Sequence, residues 1–231
     1  MQSTLRAVSL DLDNTLWDTP PVLVRAELAL ETWLAEHAPL ITAEFDSGRF
    51  RALRAELAGR EPSRAHDVTW LRLEALGHAA RATGYPADLA ARAFDVFWRE
   101  RNRIELYAEA TAALTRLAAR VPVYALTNGN ACVKEVGIGH FFRGSIDAAS
   151  AGAPKPDREI YRRLVEMAGV RASEILHVGD DAIADVHGAR EAGLEAAWMN
   201  RTGERWPHGL DPPEHVVADL TAVAELVESR S

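Results

Sequence analysis

An interval narrows the possible folds more than any other feature. The apolar run LRAVSLDLD (residues 5–13) looks like a buried strand, yet the next run of that kind, VPVYALTN, begins only at Val121. Three more follow: EILHVGDD, LEAAWMN and HVVADL. Each is short, β-branched or continuously apolar, and closed by turn residues, as strands buried on both faces are. Helical stretches such as AEATAALTRLAAR and DREIYRRLVEMAG, the second ending at the C-cap residue Gly169, alternate with them. That alternation predicts an α/β fold, a Rossmann-like parallel sheet inside a three-layer α/β/α core. The long interval exceeds any ordinary βα connection. Its segments PVLVRAELALETWLAEH, AEFDSGRFRALRAELAGR, HDVTWLRLEALGHAARATG and ADLAARAFDVFWRERNR all read as helix. Residues 18–105 are therefore expected to form an inserted all-helical domain docked over a core of residues 1–17 and 106–231.

The stretch SLDLDNTLWD sets Asp11, Asp13 and Asp18 behind the first apolar run. Ligand sites of open α/β sheets lie beyond the carboxyl ends of their strands. The strand ends here read Asp11-Leu12-Asp13, Thr127-Asn128-Gly129 and Gly179-Asp180-Asp181, with Lys155 and Asp185 in adjoining loops. If those three strands are neighbours, carboxylates converge with a hydroxyl, an amide and an ammonium. Converging carboxylates call for a hard divalent cation, and magnesium completed by a phosphate ester fits best. A calcium loop is excluded, because its glycine and glutamate positions hold Leu16 and Val22.

Composition limits the partners. A net charge of -8 argues against a nucleic-acid backbone or an anionic membrane. No long apolar span or signal-peptide pattern appears, and the single cysteine, Cys132, has no CxxC partner. The expectation is a cytoplasmic protein with no obligate protein partner, and the acidic surface still permits a local basic pocket for a small phosphorylated metabolite. Lysine occurs only at Lys134 and Lys155, arginine supplying the other basic residues. A lysine retained in GAPKPD marks a place where a compact point charge matters. Lys134 is expected on an ordinary helix.

The motifs DLDNTLWD, LTNGN, KPD and HVGDDAIADVHGAREAG, in that order, resemble those of haloacid dehalogenase-superfamily phosphatases, and the helical insert resembles that superfamily's cap. The resemblance implies that Asp11 is the nucleophile, forming an aspartyl-phosphate, and that Asp13 is the general acid and base. It implies Mg²⁺ held by Asp11, the Asp13 carbonyl and Asp180, with Asp185 in the metal cluster. Thr127, Asn128, Gly129 and Lys155 would bind the phosphoryl group. Asp181 stands where relatives often carry a small polar residue, which leaves its role open.

The haloacid dehalogenases of the superfamily lack a carboxylate two residues after the nucleophile, so Asp13 favours phosphate chemistry. A phospho-receiver module places its phosphorylated aspartate on a later strand. The stretches DNTLWDTPPVLVRAE, HDVTWLRLEAL and WRERNRIELY further resemble bacterial flavin mononucleotide phosphatases, proposed to act also on a ribitylaminouracil phosphate of riboflavin biosynthesis. Another sugar or nucleotide phosphate is the alternative. Trp17 and His66 are expected to contact the leaving group. Phe94, Phe97 and Trp98 read as cap core and His177 as structural, while Arg99, Arg101 and Arg103 read as a solvated helix face, one arginine on the substrate being the alternative.

Overall fold

A computed structural model of the chain describes residues 4–230. The chain divides into two compact units, residues 1–18 with 105–231 and residues 19–104.

The first unit is built on six parallel strands: β1 (Ala7–Leu10), β2 (Val123–Thr127), β3 (Gly144–Asp147), β4 (Ile175–Gly179), β5 (Glu195–Met199) and β6 (His215–Val217). Their order is β3-β2-β1-β4-β5-β6. Strands β1, β2 and β4 are buried throughout, which explains their unbroken apolar pattern. Strand β3 escapes a sequence reading. Its residues GSID contain one buried apolar side chain, Ile146, and at the sheet edge no more is needed.

Helices cover both faces, which makes the expected three-layer Rossmann-like core, and a four-residue helix, α7 (Ala148–Ala151), follows β3. On one face α8 (Arg158–Ala168) buries Ile160, Tyr161 and Leu164 against Ala7, Tyr124, Leu126 and Ile175. On the other, α6 (Ala110–Ala118) packs on α10 (Leu220–Glu228), and Arg116 forks onto Glu228 at 2.9 and 2.8 Å. Gly169 ends α8 in the left-handed conformation, φ 65°. The segment around Lys134, expected as helix, forms turns instead. Gly137 at φ 89° fits a turn and not a continuing helix.

The second unit is helical. It holds α1 (Thr19–His37), α2 (Pro39–Glu44), α3 (Ser47–Arg60), α4 (Val68–Ala82) and α5 (Leu89–Arg101). The single helix expected across residues 43–60 is interrupted at Phe45. Asp46 then caps α3, its side chain accepting from the Arg49 N–H at 2.7 Å. The core gathers Leu30, Leu34, Ile41, Leu76 and Phe97, with Phe94 packed beside it. Arg101, expected on a solvated face, is 2 % exposed, whereas Arg99 and Arg103 are exposed. Among the described residues no helix is long and apolar enough to cross a membrane.

Candidate active site

The strand order reverses between β1 and β4, and the crevice at such a switch point is where open α/β sheets bind ligands. Asp11 follows β1 directly and Asp180 follows β4, while Thr127 ends the adjacent β2. Asp185 sits one turn further on, in a π-helical stretch (Ala182–His187) that continues into α9 (Gly188–Glu191). One carboxylate oxygen each from Asp11, Asp180 and Asp185 lies within 4.8 Å of the others.

Lys155 holds this cluster together. Its ammonium donates to Asp11 Oδ1 at 2.5 Å, Asp185 Oδ1 at 2.6 Å and the Leu126 carbonyl at 2.8 Å. All three protons are used, and the residue is 4 % exposed. The backbone of Lys155 is fastened by Asn128, whose side chain accepts the Lys155 N–H at 2.7 Å and donates to its carbonyl at 2.9 Å. The Asn128 side chain is thus committed to the lysine loop. Gly129 likewise gives its N–H to Thr127 Oγ1 at 3.0 Å, which leaves the Thr127 hydroxyl proton free to point elsewhere.

Close approach requires glycine at two points. A Cβ on Gly179 would stand 2.1 Å from Asp185 Cγ, and one on Gly188 would meet Pro156 at 2.7 Å, next to the cis Lys155–Pro156 bond. Asp185 is further held by the Asp181 N–H at 3.0 Å and by His177 Nε2 at 3.1 Å. Asp181 has a local duty, its side chain accepting from the Ile183 and Ala184 N–H groups at 2.8 and 2.7 Å. The indole of Trp198 donates to the Asp180 carbonyl at 2.8 Å.

The charges do not balance. Burial, opposed by Lys155 and reinforced by Asp185, pushes the Asp11 carboxyl well above its ordinary range. Burial works on Asp185 too, but Lys155 and His177 outweigh it and hold that carboxyl far below the usual range. Burial opposes the charge on Lys155, yet Asp11 and Asp185 reverse this and keep it ionised. Asp180 is pushed up to about 6 by burial and then by Asp185. One ammonium among three carboxylates leaves room for a further positive charge. The all-oxygen donor set suits a hard cation.

Asp13 and Trp17 lie in the tight loop after Asp11. Leu16 N–H closes that loop on the Leu12 carbonyl at 2.8 Å, and Asn14 takes the left-handed conformation at φ 59°, which asparagine tolerates. Trp17 Nε1 donates to Asp13 Oδ1 at 2.9 Å. The Trp17 ring, expected to offer a stacking face, is 0 % exposed. Leu12 and Leu16 of the same loop are buried as well. His66 belongs to the helical unit, half-buried in the turn before α4, where Asp67 caps the helix through the Trp70 N–H at 2.8 Å. Trp70 lies under the Arg64 guanidinium at 4.2 Å.

Two further features went unread in the sequence. His177 and Ser9 join the site through Asp185, and the signals were a histidine within an apolar strand and a serine in β1. A cavity of about 200 Å³ beside Asp180 is lined by Asn14, Asp18, Tyr107, Trp198 and Arg201. A larger one, about 530 Å³, lies within the helical unit around Leu34, Phe45 and Arg54, and none of the clustered carboxylates lines it.

At the switch point of this Rossmann-like sheet a lysine-clamped set of aspartates is gathered, and the chain is of the hydrolase class. The chain belongs to the haloacid dehalogenase-like hydrolase family, which matches residues 5–193. It is 34 % identical over 199 residues to the 5-amino-6-(5-phospho-D-ribitylamino)uracil phosphatase YigB of Escherichia coli, covering 84 % of this chain and 83 % of that one. It is 35 % identical over 156 residues to a phosphoserine phosphatase of Thermus thermophilus, covering 65 % and 61 %. A solved structure described as a 2-haloacid dehalogenase from Pseudomonas syringae pv. Tomato superposes with a TM-score of 0.92 at 34 % identity, over 98 % of this chain and all of that one (100 %).

Proposed function

We propose that the protein is a metal-dependent phosphomonoesterase in which Asp11 attacks the phosphorus of a small phosphate ester. The supporting observation is the Lys155 ammonium, 2.5 Å from Asp11 and 2.6 Å from Asp185, with Asp180 in the same cluster and the Asp13 carboxylate two residues away. Attack by Asp11 forms an aspartyl-phosphate as the bond from phosphorus to the ester oxygen breaks, and Asp13 gives that oxygen its proton. Asp13, now ionised, takes a proton from the water that attacks the phosphorus, releasing phosphate and restoring Asp11. Lys155, the Thr127 hydroxyl and the Asn128 N–H offset the charge that builds on the phosphoryl oxygens. A hard divalent cation such as Mg²⁺, held by Asp11, Asp180 and the Asp13 carbonyl with Asp185 behind them, would supply the remaining positive charge.

The substrate reading rests on the ribitylaminouracil phosphatase relative: flavin mononucleotide, or the ribitylaminouracil phosphate itself. Discrimination is assigned to the helical unit, His66 included, because the groups around Asp11 suit any phosphoryl group.

The similarity to a structure described as a haloacid dehalogenase favours a second reading, displacement of halide by Asp11. A halide leaves without a proton and needs no cation, so Asp13 and Asp180 would have no task in that chemistry. A panel of flavin mononucleotide, the ribitylaminouracil phosphate, phosphoserine, p-nitrophenyl phosphate and 2-chloropropionate, with and without Mg²⁺, separates the two. The expected result is Mg²⁺-dependent phosphate release, with kcat/KM highest for the ribityl esters. Halide release without phosphate release would overturn the proposal.

A further inference from the structure

We propose that His177 is a positioning residue that takes the Ser9 hydroxyl proton bond at Nδ1, donates from Nε2 to Asp185, and thereby holds Lys155 on Asp11. Its kinetic consequence rests on the phosphatase reading above, whereas its hydrogen-bond geometry does not.

Ser9 and His177 face each other directly across β1 and β4, and both are 0 % exposed. Ser9 Oγ lies 2.7 Å from His177 Nδ1, and His177 Nε2 lies 3.1 Å from Asp185 Oδ1. An ionised carboxylate only accepts, so Nε2 must carry the hydrogen. In the neutral ring Nδ1 then has only a lone pair, and Ser9 must be its donor. The opposite tautomer would set an imidazole lone pair against a carboxylate oxygen with no water to screen it. Asp185 therefore selects the tautomer, and the Ser9 hydroxyl, able to donate or accept, supplies the matching donor at Nδ1.

The same Asp185 oxygen accepts Lys155 Nζ at 2.6 Å, while its second oxygen accepts the Asp181 N–H at 3.0 Å. Asp185 is thus fastened from three sides, and the ammonium, on a flexible stem, is fastened to it. Tyr161 fixes the imidazole from the other side. Its ring meets His177 edge-on, with centroids 5.6 Å apart at 80°, and its hydroxyl is anchored on the Ala184 carbonyl. A side chain that merely filled the core would need neither polar contact. An unbroken polar chain instead runs from Ser9 to Asp11 through His177, Asp185 and Lys155.

The test combines side-chain ¹⁵N spectra with kinetics on p-nitrophenyl phosphate, the His177 signals being assigned by their loss in His177→Gln. The wild type should show an Nε2–H ring, and Ser9→Ala, which leaves Asp185 in place, should keep the Nε2–H form with a smaller loss of kcat than His177→Leu. His177→Leu should lower kcat by roughly 10- to 100-fold, as loss of an outer partner of a site ligand does, with KM unchanged. His177→Gln, which keeps a donor toward Asp185, should recover part of that loss. An Nδ1–H ring in the wild type or in Ser9→Ala, full kcat in His177→Leu, or equal losses in Leu and Gln would each overturn the proposal. Wild-type protein that releases no phosphate would overturn the phosphatase reading instead, and the nitrogen spectra would still decide the hydrogen-bond chain.

Discussion

The indole nitrogen of Trp17 donates to Asp13 Oδ1 at 2.9 Å while the ring itself is wholly buried. A tryptophan so placed acts on the carboxylate and not on a leaving group. Trp17→Phe keeps most of the packing but removes the donor. It should lower kcat by about tenfold, the worth of one hydrogen bond to a charged group. Flavin mononucleotide and p-nitrophenyl phosphate should lose by the same factor. A loss confined to flavin mononucleotide would restore Trp17 to the role of a stacking residue.

Asp11→Asn and Asp13→Asn separate the two carboxylates. Both proteins should fold, since each change conserves shape. Asp11→Asn should lose turnover by several orders of magnitude and form no phosphoenzyme. Asp13→Asn should accumulate phosphoenzyme with an activated ester, because water is no longer deprotonated. Acid-quenched labelling with ³²P-substrate reads the difference.

Lys155→Arg should be strongly impaired despite its conserved charge. The three acceptors around Nζ, at 2.5 to 2.8 Å, are arranged about a point donor, and a planar fork cannot reach all of them. Lys134→Arg should be nearly silent, because Lys134 is exposed among turns. Steady-state kinetics on both variants is the check, and equal effects would contradict the geometry.

Gly179→Ala forces a methyl group to within 2.1 Å of Asp185 Cγ. Destabilisation of about 1–3 kcal/mol is expected from overpacking, together with a fall in kcat as Asp185 is displaced. Gly59→Ala, in α3 with nothing within 4 Å of the added carbon, should instead stabilise by roughly 0.5–1 kcal/mol. Urea unfolding midpoints measure both.

Asp181→Ala removes an N-cap whose oxygen serves Ile183 and Ala184. A loss of about 1 kcal/mol is expected, with kcat close to wild type. A large kcat effect without loss of stability would give Asp181 a part in the chemistry.

Melting temperature against Mg²⁺ tests the cation independently of turnover. A ligand of the folded state at a hundredfold excess over Kd adds about 2.7 kcal/mol. The wild type should gain this stabilisation and Asp180→Asn should not.

Much of the molecule is legible along the chain because its signals are local. Unbroken apolar runs mark β1, β2 and β4, since strands buried on both faces have no room for alternation. The residues at the ends of those strands, Asp11, Thr127 and Asp180, mark the candidate site in the sequence itself. So does Lys155, one of two lysines in a chain whose other basic residues are arginine or histidine. Strand β3 was invisible because an edge strand needs one buried side chain to hold it. Tertiary structure alone decided the rest. It set Ser9 opposite His177, a partner 168 residues away, turned the Asn128 side chain to the lysine loop, and buried Trp17. Register between strands and the direction of a side chain depend on what the rest of the chain packs against them, and no short stretch of sequence carries that information.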